Sequence, residues 1–215
     1  MGDFFMALVE STDQARRDFE THPVALGAVA DGLSVERYRK LLLELYQIVW
    51  HFNPVCAAAA SRIPDSHRQV RYFLYRHMQE ESGHEQWVGN DLEAIGVASA
   101  TLPSHRPSAS TLAVIGYNYW TADRRDPCSV LGMMYALEVI ASVYGGAFAS
   151  AVRESLLLVG DRGVSFIGSH ATMDTEHMVH LREILNTVEG DSARQAIVES
   201  ALVNFEFVTR IFAEI

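Results

Sequence analysis

The sequence predicts an all-α fold, and two observations carry that reading. No stretch alternates apolar and polar residues with period two between turn signals, so strands find no support. Helix start signals recur instead: Ser34, Asp126-Pro127 and Gly190-Asp191 each stand before a long segment of helical character. The 215 residues fit a single domain, 1–215, with room for a sizeable core. No solenoid repeat and no low-complexity linker interrupts them.

Taken in order, a first helix is expected from Phe4 to about Glu20. A short turn or helix follows His22-Pro23 and ends near Asp31-Gly32. Ser34 caps a long helix to about Arg62, with a bend at Pro54, where a backbone donor is lost. Ser66-His-Arg-Gln69 has the form of a capping box and opens a helix through His77, Glu81 and His84 to Gly96. Val97 to Pro107 reads as loop. Ser108 or Ser110 starts a shorter helix to about Arg124. Asp126 caps the next helix with Pro127 in its first turn, and that helix carries Glu138 and Gly145-Gly146. Gly160 to Gly163 breaks the chain. A helix from about Val164 to Glu189 follows. Gly190-Asp191 ends it and caps the last one. The count is about seven main helices.

The formal charge is −10, with 27 acidic against 17 basic residues. That balance disfavours nucleic acid and anionic membrane as main partners. Cys56 and Cys128 lie far apart and form no CxxC, so a reducing cytoplasm is the expected setting. The first ten residues meet an acid at Asp3 and lack a basic start, unlike a signal peptide. No apolar run approaches the roughly 20 residues that span a bilayer.

The chemistry concentrates in His170-Ala-Thr-Met-Asp174-Thr-Glu-His177. On a helix, positions i, i+4 and i+7 differ by only about 40° and −20°, so His170, Asp174 and His177 project from one stripe. His77, Glu81 and His84 repeat that spacing. Glu138 is a lone acid in an apolar run, where a bare buried carboxylate is costly. Five of the nine histidines, His77, His84, His170, His177 and His180, fall in two short helical segments. The candidate metal ligands are therefore Glu81, His84, Glu138, His170, Asp174 and His177. His77 sits on the stripe one turn early, as a supporting residue or an alternative ligand. His180 points about 80° off it. The plainer reading of any one of these residues is a surface or satisfied core side chain. Mixed imidazole and carboxylate donors suit non-haem iron or manganese better than a closed structural zinc site. Three carboxylates against two Fe(II) leave a small positive excess.

The order Glu81-x2-His84, Glu138, His170-x3-Asp174-x2-His177 resembles the haem-oxygenase-like di-iron oxidases, related in fold to the thiaminase and pyrroloquinoline-quinone-synthase branch. The resemblance covers roughly residues 70 to 185. It implies a seven-helix haem-oxygenase-like bundle, two irons as cofactor and O2 as co-substrate. It also implies oxidation of a small organic acid, a fatty acid or amino acid, by decarboxylation, desaturation or fragmentation. One branch builds p-aminobenzoate from its own side chains, a lysine among them. Here Lys40 is the only lysine and lies outside the motif helices.

Small residues beside Glu138 leave space near the metals. The expected substrate pocket is lined by Phe73, Met134, Leu137, Ala141, Gly145 and Leu181. An apolar body with one anionic end fits it, the acid meeting the positive excess at iron or a nearby Arg. An external electron donor and a homodimer are compatible with this reading. Three other readings remain open. A ferritin-like di-iron protein would use Glu44, Glu81, His84, Glu138, Asp174 and His177, leaving His170 without a role. A metal-free thiaminase-like hydrolase would use Cys128 at a helix start. A haem or small-ligand binder would use the fold without di-iron chemistry.

Overall fold

The computed structural model describes residues 3–215, the side chains of residues 99, 103 and 171–176 excepted. Its described residues form α-helices and short 3-10 turns, with no strand. The α-helices are α1 (Phe4–Ser11), α2 (Asp13–Glu20), α3 (Pro23–Asp31), α4 (Val35–Arg62), α5 (Arg68–Glu80), α6 (His84–Ala94), α7 (Ala109–Arg124), α8 (Val130–Ser155), α9 (Ser165–Leu185) and α10 (Asp191–Glu214). Ten helices therefore stand where seven are expected, because two of the expected helices are broken and the short turn after His22-Pro23 is a helix.

The first break is at Thr12. Its hydroxyl donates back to the Leu8 carbonyl at 2.8 Å and meets the Tyr135 hydroxyl at 3.2 Å. Such back-bonding competes with the helix ladder, and here a residue of α8 pins the joint. The second break, at Gly83, shapes the metal centre and is described with it. Ser66 does not cap α5. Its hydroxyl turns to His67, and a 3-10 turn, Asp65–His67, leads into the helix. Asp191 is the first residue of α10 rather than its cap, and no side chain caps that helix. Three other start signals act as read. Ser34 accepts the Arg37 amide, Ser108 accepts the Thr111 amide, and Asp126 accepts the Cys128 amide in the 3-10 turn before α8. Helix α4 runs on through Pro54.

Helix α8 is the central element and packs on α9, α10 and α3. It is apolar nearly all round, as a helix of the core tends to be, although Val143 in its second half is exposed. By length and composition it is also apolar enough to cross a bilayer, but 67% of its most apolar stretch is buried inside the fold. Its approach to α10 is close: a Cβ on Gly132 would stand 2.1 Å from the Ile197 carbonyl oxygen, so only glycine fits. Two apolar cores flank the middle of the bundle. One gathers Val55, Ala59, Leu74, Leu131 and Leu185, and the other Tyr38, Leu41, Leu92, Phe148 and Val152. Helix α4 contributes to both, on either side of Pro54.

Candidate metal centre

Helix α5 ends just before Glu81, and α6 begins at His84. Between them Gly83 takes φ +94°, the left-handed region that favours glycine. The continuous helix expected from Ser66 to Gly96 is therefore absent, and His77 and His84 do not share one stripe. The turn nevertheless folds His84 back onto Glu81, with Nδ1 2.6 Å from Oε2.

Helices α8 and α9 complete the cluster. The side chains form two groups that meet at Glu81. One is His77, Glu81, Glu138 and His177; the other is Glu81, His84 and His170. Within each, one donor atom per residue lies within 4.8 Å of the others. Glu81 Oε1 lies 4.0 Å from His77 Nε2 and 3.7 Å from His177 Nδ1, and Glu81 Oε2 lies 3.6 Å from His170 Nε2. Glu138 Oε1 stands 3.7 Å from His77 Nε2 and 3.3 Å from His177 Nδ1. One carboxylate thus offers an oxygen to each group.

Five of the six candidate ligands come together, and His77 joins them. The Asp174 side chain lies outside the described residues. His180 is half-buried on α9 and belongs to neither group.

Burial sets the electrostatics. His77 is 2% exposed, and burial pushes its imidazole down to about 4 against the opposing pull of Glu81. It is neutral near pH 7, the form that binds a metal. Its Nε2 and the Oε2 of Glu138 are buried with no hydrogen-bond partner. Such atoms are expensive to leave unmet, and a cation between them would satisfy both. Burial also opposes the Glu81 charge, but the hydrogen bonds of His170 and His84 outweigh it and hold the carboxyl far below its ordinary range. The hydrogen bond to Glu138 raises His177, with burial opposing. The donor set is nitrogen and oxygen with no thiolate, which fits iron.

Two contacts orient the α9 ligands. His170 Nδ1 lies 2.9 Å from the Phe166 carbonyl. A carbonyl only accepts, so Nδ1 carries the proton and Nε2 is the nitrogen that faces Glu81. Phe166 is held in turn by Asp91 of α6, which is 1% exposed. Asp91 accepts the amides of Gly163 and Ser165 at 3.0 Å each, the Ser165 hydroxyl at 2.8 Å and the Phe166 amide at 2.8 Å. It caps α9 from another helix. The sequence reading passed over Asp91, although it lies seven residues after His84, on the same helical stripe.

A cavity of about 560 Å³ opens against these ligands, within the range of small-molecule sites. Glu81, Glu138 and His170 form part of its wall, and the rest is almost wholly apolar. Leu137, Ala141 and Gly145 line it. Phe73, Met134 and Leu181 do not: they are buried in the first apolar core, Phe73 stacked on His77 at 5.6 Å between ring centres. Among the described residues no Arg or Lys lines the cavity, so of the two expected partners for an acid, iron or a nearby Arg, its wall offers no arginine.

Glu44 and Cys128, on which two rival readings draw, belong to neither group. Glu44 accepts the Ser108 amide at 3.0 Å and faces His105 at 3.2 Å, so it caps α7 rather than joining a carboxylate cluster. Cys128 is 1% exposed, and burial pushes its thiol up to about 12. That favours an inert thiol over a nucleophile.

Residues 39–207 match the family described as iron-containing redox enzymes. The chain belongs to that family. Among solved structures, this iron-containing redox enzyme is similar to a domain of haem oxygenase-like fold from Shewanella denitrificans, at 20% identity and TM-score 0.86 over 100% of this chain and 92% of that one. It is similar to a TenA homologue from Pseudomonas syringae, at 15% identity and TM-score 0.83 over 98% and 91%. It is also similar to haem oxygenase-1 from Synechocystis in complex with haem, at 15% identity and TM-score 0.80 over 99% and 92%. These likenesses establish the haem oxygenase-like all-α fold. No curated protein sequence matches the chain.

Proposed function

We propose that this iron-containing redox enzyme is a non-haem di-iron oxidase that uses O2 to oxidise a small apolar organic acid, a fatty acid or a hydrophobic amino acid. The observation that carries the reading is Glu81, which belongs to two ligand groups at once beside an apolar cavity. His77, Glu138 and His177 would hold one iron, His84 and His170 the other, and Glu81 would bridge them. Two Fe(II) ions would supply O2 activation and hydrogen abstraction.

The protein's own part is positional. Phe166 keeps His170 Nε2 turned toward Glu81. Phe73 and Phe52 fix the His77 ring between them at 5.6 and 5.7 Å. The apolar wall keeps water from the reacting end of the substrate and leaves the metal charge as partner for its carboxylate. A haem reading finds less support. His170 is the one histidine lining the cavity among the described residues, and its nitrogens already face Phe166 and Glu81.

The test is anaerobic titration with Fe(II), followed by oxygen uptake with a panel of both acid classes. About two Fe(II) per chain should bind. Glu81→Ala should lose both, whereas His84→Ala should keep one. A single tight ion unaffected by Glu81→Ala would sink the proposal.

A further inference from the structure

We propose that Glu20 and Tyr144 form a second polar subsite in the cavity, which accepts a hydrogen bond from a hydroxyl or ammonium group at the end of the substrate remote from its acid. This deepens the reading above and rests on it. Of the described residues lining the cavity, five carry polar side chains: Glu20, Glu81, Glu138, Tyr144 and His170. Three of them belong to the metal groups. The other two are hydrogen-bonded to each other, the Tyr144 hydroxyl donating to Glu20 Oε1. The cavity therefore has an apolar body and two polar places.

Spacing separates those places. Glu138 and Tyr144 stand on the same helix six residues apart, about 9 Å along its axis. An elongated molecule with its acid at the metal would lay its chain along α8 and bring its far end to Tyr144. Ring packing makes the place rigid, since Phe19 meets Tyr144 edge-on at 5.2 Å and Phe212 at 5.3 Å.

The polarity of the pair fixes the class of group. A phenol has one hydrogen, and Glu20 takes it. Both residues line the cavity and keep only lone pairs to offer. Burial and the Glu20 hydrogen bond raise the Tyr144 phenol, so the phenol keeps its proton. A hydroxyl or ammonium would be bound there, and a second carboxylate would be repelled.

Calorimetry on anaerobic Fe(II)-loaded protein tests this without turnover. Straight-chain acids of graded length are compared with ω-hydroxy and ω-amino acids of the same length. At one length the ω-substituted acid should bind about tenfold more tightly, as a charge-assisted hydrogen bond allows. Glu20→Ala should erase the preference while iron content stays unchanged, and Tyr144→Phe should weaken it. Equal affinities at every length, or a preference that survives Glu20→Ala, would show that the pair only ties α2 to α8. That outcome overturns the subsite and leaves the di-iron reading standing. Binding of neither acid class would overturn the subsite and the substrate class together.

Discussion

Glu81 and His84 are in hydrogen-bond contact at 2.6 Å although the helix leading to Glu81 has ended before His84 begins. The contact depends on a turn, and the turn depends on Gly83 at φ +94°. Gly83→Ala would force an L side chain into the left-handed region, at a cost of roughly 1–2 kcal/mol. Thermal unfolding should fall by roughly 2–8 °C. Iron affinity should fall too, since relief of the strain moves His84. A variant with full iron content and an unchanged melting curve would show that the turn is not what seats His84.

Asp91→Ala removes the acceptor of four hydrogen bonds at the start of α9. Buried donors left without a partner make this costly, about 2–4 kcal/mol. Denaturant midpoints measure that loss. Iron binding should weaken further than stability alone explains, because Phe166 positions His170.

Stability of the metal-free protein should depend on pH through His77. Its folded value is depressed to about 4 from 6.5, so the unfolded chain takes up the proton first as pH falls. Stability is fully present above about 6.5 and is lost down to about 4, up to about 3 kcal/mol. His177 acts with the opposite sign. Its raised value adds stability as pH falls toward 6.5, and that gain is lost as pH rises through its folded value. His77→Phe, stacked with Phe73 and Phe52, should abolish the loss between about 6.5 and 5, while the depressed Glu81 carboxyl still adds its own loss below that. Melting curves of both proteins between pH 8 and 4 measure it, and parallel curves would count against a buried neutral His77.

Gly145→Leu places a branched side chain in the cavity wall. The accepted chain length should shorten while bound iron stays at the wild-type level. Oxygen uptake against acids of graded length reads the first, and metal analysis the second. An unaltered substrate range would mean that substrates do not enter this cavity.

The helical class was legible in the sequence because strand periodicity is absent and Ser34, Ser108 and Asp126 mark helix starts with side chains that do cap. The cluster was legible because His170 and His177 stand on one helical stripe, and the structure brings both to Glu81. The break at Thr12 was hidden because Tyr135, over a hundred residues away, takes part in it. The turn at Gly83 left a local mark, a glycine beside Ser82, that the continuous periodicity of His77, Glu81 and His84 overrode. Met134 and Leu181 were expected at the pocket and lie in packed core. Helix α8 is apolar on nearly every face, so periodicity does not say which face meets a void. The far wall of the cavity is built partly by α3, whose Ala25, Leu26, Val29 and Ala30 carry no chemical signature.

That wall has an evolutionary consequence. Helices α2 and α3 shape the cavity with Phe19, Glu20, Ala25 and Leu26, yet neither ligand group draws on them. On the proposed reading, mutation there would redraw the substrate range while helices α5, α6, α8 and α9, which carry the candidate ligands, stay as they are. Descendants of one ancestor would then diverge in diet while inheriting the same oxidising engine, with α3, a short helix of mostly small residues, as one place for the change.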